Sequence, residues 1–146
     1  MIKKLNKNSI ITAVCTFLIV ITTFASFTAF ATTSAGSAVL KAYTITTTVG
    51  DVTKSFDDKY CTIYVKKSLS SVSNFSAQFW VKDITKNATL TNKKSINCTS
   101  TKTGYWIPYK SGATSSRGDT LRFYGSQANS TSKGIDYVIY SDKATL

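Results

Sequence analysis

Tyr60-Cys61-Thr62-Ile63-Tyr64-Val65-Lys66-Lys67 is the stretch whose pattern decides the fold. Cys61, Ile63 and Val65 fall on one side, and Thr62, Tyr64 and Lys66 on the other. A period of two residues is that of a strand with one face in the core. Ser76 to Ile84 repeats it, with Ala77, Phe79 and Val81 against Gln78, Trp80, Lys82 and Ile84.

The same alternation continues in both directions. Toward the N-terminus, Leu40 to Val49 reads as a strand with Tyr43, Ile45, Thr47 and Val49 on one side. Gly50-Asp51 then supplies turn chemistry. Toward the C-terminus, short strands are predicted at Ala88–Thr91, Ser95–Thr99, Tyr105–Tyr109, Thr120–Tyr124 and Ile135–Ser141. The inward positions are Ile96 and Cys98, then Ile107, then Leu121 and Phe123, then Ile135, Tyr137 and Ile139. Pro108 cannot donate to a ladder, which puts its strand at a sheet edge or ends it there. No helical stripe appears, and Thr, Val, Ile, Tyr, Phe and Trp suit pleated, half-buried surfaces. The expectation is an all-β domain, a small antiparallel β-sandwich of seven or eight strands.

Residues 1–31 have the layout of an export signal: Lys3, Lys4 and Lys7, an uncharged run from Ile10 to Phe30, then Ala29-Phe30-Ala31 as a small-x-small cleavage site. Cleavage is expected after Ala31. The run is also long enough for a retained anchor, although six Ser and Thr residues weaken that reading. Residues 32–39, small and polar, are expected to be a flexible leader, and residues 40–146 the secreted domain.

Removing residues 1–31 leaves 115 residues, one domain's worth. Fifteen of the eighteen bases and all seven acids remain, a net charge of +8. For an exported chain that charge points to an anionic partner: a cell-wall polymer, an acidic glycan or an anionic membrane surface. No nucleic acid is expected, and nothing in the pattern sets an oligomeric state. Cys61 and Cys98 remain after Cys15 leaves with the signal, and in an oxidising compartment they are expected to pair as one disulfide.

The chain has no His and no Glu. Ser-His-Asp and Cys-His nucleophile systems are therefore excluded, as are His-based zinc sites. Acid–base chemistry is left to Asp, Lys and Tyr. No enzyme, cofactor or metal is expected, and the Asp51, Asp57 and Asp58 group reads as a solvated turn interleaved with Lys54 and Lys59. Arg117-Gly118-Asp119 spells an adhesion tripeptide but is also explained as the turn entering the Thr120 strand.

The candidate site is a face. With the cysteine side inward, the outward residues include Trp80, Lys82, Trp106, Arg122, Tyr124 and Tyr140. Flat rings beside cationic side chains suit a sugar or a polyanion. The expected role is a secreted, non-catalytic binding protein of the bacterial cell envelope or extracellular space. The alternative is a bacteriocin-like secreted effector.

The export signal, the Leu40–Val49 strand, the Ser-rich connections and Arg117-Gly118-Asp119-Thr120-Leu121-Arg122-Phe123-Tyr124-Gly125 before a closing strand give an architectural resemblance. Over most of residues 40–142 the chain resembles small secreted proteins of Gram-positive bacteria, the clostridia and bacilli. In size, charge and export alone it is also similar to small secreted β-sandwich bacteriocins. The resemblance implies a β-sandwich and secretion, and it assigns no catalytic residue.

Overall fold

The computed structural model describes residues 32–146. The expected export signal and cleavage site, residues 1–31, lie outside the described residues. Nine strands follow in order: β1 Thr33–Leu40, β2 Thr47–Thr53, β3 Tyr60–Lys67, β4 Phe75–Asp83, β5 Ala88–Thr89, β6 Lys94–Cys98, β7 Thr103–Pro108, β8 Thr120–Gln127 and β9 Lys133–Tyr140. They form two antiparallel sheets. One has the order β1-β9-β3-β7, and the other the order β2-β8-β4-β5, with β6 also on β4. Every connection crosses from one sheet to the other except the β4–β5–β6 run. With the two-residue β5 set aside, this winding of eight strands is that of a jelly roll.

The alternation that predicts β3 also explains its packing. Cys61, Ile63 and Val65 are fully buried, facing Phe79 and Val81 of β4 and Phe123 of β8 in one core that also holds Ile135 and Ile139. β4, β6, β8 and β9 carry their apolar residues inward as expected. β7 is an edge strand, with Pro108 opposite Tyr60 at its end, where a missing N–H costs no central ladder bond.

Several expectations are corrected. Residues 32–39 are no flexible leader: Thr33–Leu40 is strand β1, in register with β9 from Thr33 opposite Tyr140 to Leu40 opposite Lys133, and it brings the count to nine strands rather than the expected seven or eight. Its small side chains give no apolar period, and its order comes from the backbone ladder and buried Leu40. Gly50-Asp51 is no turn, since both residues lie inside β2 beside a bulge between Thr48 and Gly50. A side chain at Gly50 would bring its Cβ to 2.8 Å from Tyr137 Oη. The glycine therefore serves a close approach between sheets. The turn comes earlier and breaks the expected Leu40–Val49 strand: β1 ends at Leu40, β2 begins at Thr47, and between them Tyr43 and Thr44 take φ of 56° and 63°. That region is costly for a β-branched residue. Backbone bonds from Tyr43 N to Asn129 O and from Thr44 N to Gln127 O hold it.

A further correction concerns the disulfide. Cys61 and Cys98 both point inward, but each is a free, buried thiol. Cys61 lies at the start of β3. Lys67 N, at its end, donates to Thr99 O, which places Cys98 at the opposite end of the sandwich. Six extended residues separate the two levels, about 20 Å. The Cα atoms of a disulfide sit within about 7 Å. Burial pushes both thiols up to about 12. In the native protein near neutral pH, neither cysteine is expected to react with iodoacetamide. In denaturant without reductant both should react, each adding one label by mass spectrometry.

Candidate ligand-binding face

β4 and β8 are neighbours, and their register decides which outward residues meet. Trp80 is opposite Tyr124, and Lys82 is opposite Arg122. The two rings stack at 5.7 Å between centroids with 16° between their planes. Lys93, on the connection after β5, sets its Nζ 4.7 Å from the centroid of Trp80. Arg122 forms a two-pronged pair with Asp51 of β2, Nε to Oδ1 at 2.8 Å and Nη2 to Oδ2 at 2.7 Å. That pair fixes the guanidinium in the plane of the face. Gln78 and Ser95, also opposite one another, extend the surface with polar, exposed side chains.

Four of the six predicted face residues are thus together on the outer side of the five-stranded sheet. Trp106 and Tyr140 are not with them. They belong to β7 and β9, so the same outward parity points them away from the opposite side of the sandwich. There they flank Thr62 of β3. The C-terminal segment crosses that side. Trp106 Nε1 donates to Ala144 O at 2.7 Å, Ala144 N donates to Thr62 Oγ1 at 2.9 Å, and Tyr64 Oη donates to Thr145 O. Lys143 Nζ lies 4.1 Å from the Trp106 ring centroid and 5.3 Å from that of Tyr60. Tyr140 packs edge-on against Tyr64 at 5.8 Å. Thr62, outward by parity, is completely buried under this strap.

The expected solvated turn around Asp51, Asp57 and Asp58 is corrected here: Asp51 lies inside β2 and pairs with Arg122, and a buried polar site lies at the end of β2. The Lys54 side chain is fully buried, and its Nζ reaches Asp142 Oδ1 at 2.5 Å, Asp58 Oδ1 at 2.9 Å and Ser141 O at 3.0 Å. The Tyr109 ring lies beside it, 5.3 Å from Nζ. Nothing local marks Lys54 as buried: it follows a strand end and precedes acids, like any solvated lysine. Only the return of residues 141–142 to β2 encloses it. Asp57, Asp58, Tyr109, Ser116 and Arg117 line an adjoining cleft of about 370 Å³. Among the described residues, no group of three or more metal-binding side chains comes together.

Asp119 is buried, which removes the adhesion reading of Arg117-Gly118-Asp119. Its carboxylate takes Lys86 Nζ at 2.8 Å and Ser116 N at 2.5 Å, and the Ser115 hydroxyl bridges it to Asp83. Gly118, at φ of 91°, supplies the turn before β8.

No family model matches the sequence, and no curated protein matches it. Among solved structures, the chain is similar to arabinose-bound MgGH51 α-L-arabinofuranosidase, with a TM-score of 0.41 and 13% identity. The match covers 71% of this chain and 19% of that chain. A likeness at that level carries no argument about activity.

The Lys86 ammonium, followed by the Ser116 amide, holds the Asp119 carboxyl down to about 2, against its ordinary 3.8. A depressed value means stability that is present above 3.8 and lost as pH falls toward 2. Asp119→Asn should therefore be less stable than the parent near neutral pH. The gap should close across that acid window in urea unfolding followed by circular dichroism.

Proposed function

We propose that this is a secreted, non-catalytic binding protein of the bacterial cell envelope or extracellular space. It contacts an anionic polymer or glycan through the outer face of the five-stranded sheet. The observation that carries this reading is the Trp80–Tyr124 stack with Lys82, Arg122 and Lys93 around it. The paired rings offer flat apolar area to a sugar, and the Lys82 and Lys93 ammonium groups take carboxylate or phosphate groups along the polymer, beside an Arg122 held by Asp51. Rings set by a cross-strand pair lose little side-chain freedom on binding. Trp106 and Tyr140 are not in this ligand set, because they stand on the four-stranded sheet, on the opposite outer side from Trp80 and Tyr124. The net charge of +8 for residues 32–146 supplies long-range attraction to a polyanion, which salt screens.

The test is co-sedimentation with purified Gram-positive walls, before and after removal of their anionic polymers. The parent should be retained at low salt and released as salt rises. Trp80→Ala and Tyr124→Ala should each weaken retention about tenfold, roughly 1.4 kcal/mol. Lys82→Ala with Lys93→Ala should flatten the salt dependence. No retention of the parent at low salt on either wall preparation would overturn the reading.

A further inference from the structure

We infer that Lys54 Nζ and the side-chain carboxyl of Asp142 condense to form an intramolecular amide, with Asp58 carrying the proton between them. The inference starts from placement. The amine and its carboxylate are in contact at 2.5 Å, with side chains 0% and 2% exposed. A second carboxylate touches the same nitrogen, Asp58 Oδ1 at 2.9 Å, and it is one-third exposed. A buried nucleophile, a buried electrophile and a base open to solvent are the three parts that amide formation needs. Holding the reacting groups together converts a bimolecular condensation into a unimolecular one, which raises their effective concentration by orders of magnitude.

The step balances with no other reactant. Asp58 takes a proton from the Lys54 ammonium and passes it to the Asp142 carboxylate, which leaves a neutral amine beside a neutral carboxylic acid. Nζ attacks Asp142 Cγ, and the Nζ–Cγ bond forms. The tetrahedral intermediate places negative charge on the former carboxylate oxygens. Phe56 N donates to Oδ1 at 3.3 Å, and Ser55 N donates to Oδ2 at 3.2 Å together with the Ser141 hydroxyl. Amide groups aimed at that position stabilise such charge. One Cγ–O bond then breaks. The oxygen leaves as water, carrying the two protons lost by nitrogen, one of them delivered by Asp58. Asp58 ends as it began, a carboxylate.

Three further features favour the reaction. Burial would raise the Asp58 carboxyl, but the Lys143 amide and the Lys54 side chain outweigh it and hold it below its ordinary value, so it starts as a base. Asp58 and Tyr109 both line the adjoining cleft, which gives the released water a way out. A neutral amide also removes two desolvated charges from the interior, where each is costly. The bond would join the end of β2 to the segment after β9, tying the five-stranded sheet to the four-stranded one across 88 positions of sequence.

The experiment is an intact mass of the purified, folded protein, compared with the sequence mass from its determined N-terminus, followed by a peptide map. The parent should be lighter by one water, and a single linked fragment should contain both Lys54 and Asp142. Lys54→Met should have its full sequence mass. Asp58→Asn, whose altered group lies at the surface side of the pair, should fold yet form the bond at least about a hundredfold more slowly. A folded parent that keeps its full mass after prolonged incubation would overturn the inference. So would a water loss confined to a fragment that holds Asp142 without Lys54. Bond formation in Asp58→Asn at the parental rate would overturn the assignment of Asp58.

Discussion

One ammonium group governs how this sandwich is closed. Lys54 Nζ has no access to water, and a charge so placed must be met by opposite charge and hydrogen bonds. Asp142 and the Ser141 carbonyl meet it, and they can do so only because the chain beyond β9 turns back over the end of β2. That turn sets the path of residues 143–146. Asp142 O accepts from Thr62 Oγ1, and the last residues run over Thr62, Tyr64 and Trp106. The route of the C-terminal segment, and hence which side of the sandwich stays open, depends on the placement of one lysine.

Where the sequence was legible, it was so because burial acts on alternate residues. β3, β4, β6, β8 and β9 each present their apolar residues to one core, and a period of two reports that directly. Pro108 located an edge because a missing donor has the same meaning wherever it stands. What parity cannot carry is the identity of the sheet. Trp80 and Trp106 are both outward, yet they face opposite ways because β4 and β7 lie in different layers. β1 escaped because its order rests on main-chain pairing with β9, for which Thr-Ser-Ala-Gly-Ser-Ala offers no side-chain signature.

Gly50 and the cysteines depart from expectation for a related reason. Residue type and compartment suggest a turn and a disulfide, whereas distance across the fold decides both. Gly50 is small because Tyr137 comes within reach from the other sheet. Cys61 and Cys98 are core residues at opposite ends of β3, each filling volume as a small apolar group would. The acids tell the same story. Asp51, Asp58, Asp119 and Asp142 each engage a cation, and three of the four partners come from another part of the chain.

The chain has two tryptophans, and the sandwich sets them on opposite outer sides, each with a lysine ammonium over its ring. Indole emission depends on the groups that lie against the ring. Trp80 is therefore an intrinsic optical gauge for events on the five-stranded side, and Trp106 for lifting of the C-terminal strap. Replacing either one by phenylalanine leaves a single fluorophore. The two sides of one small domain then become separately visible without any added dye.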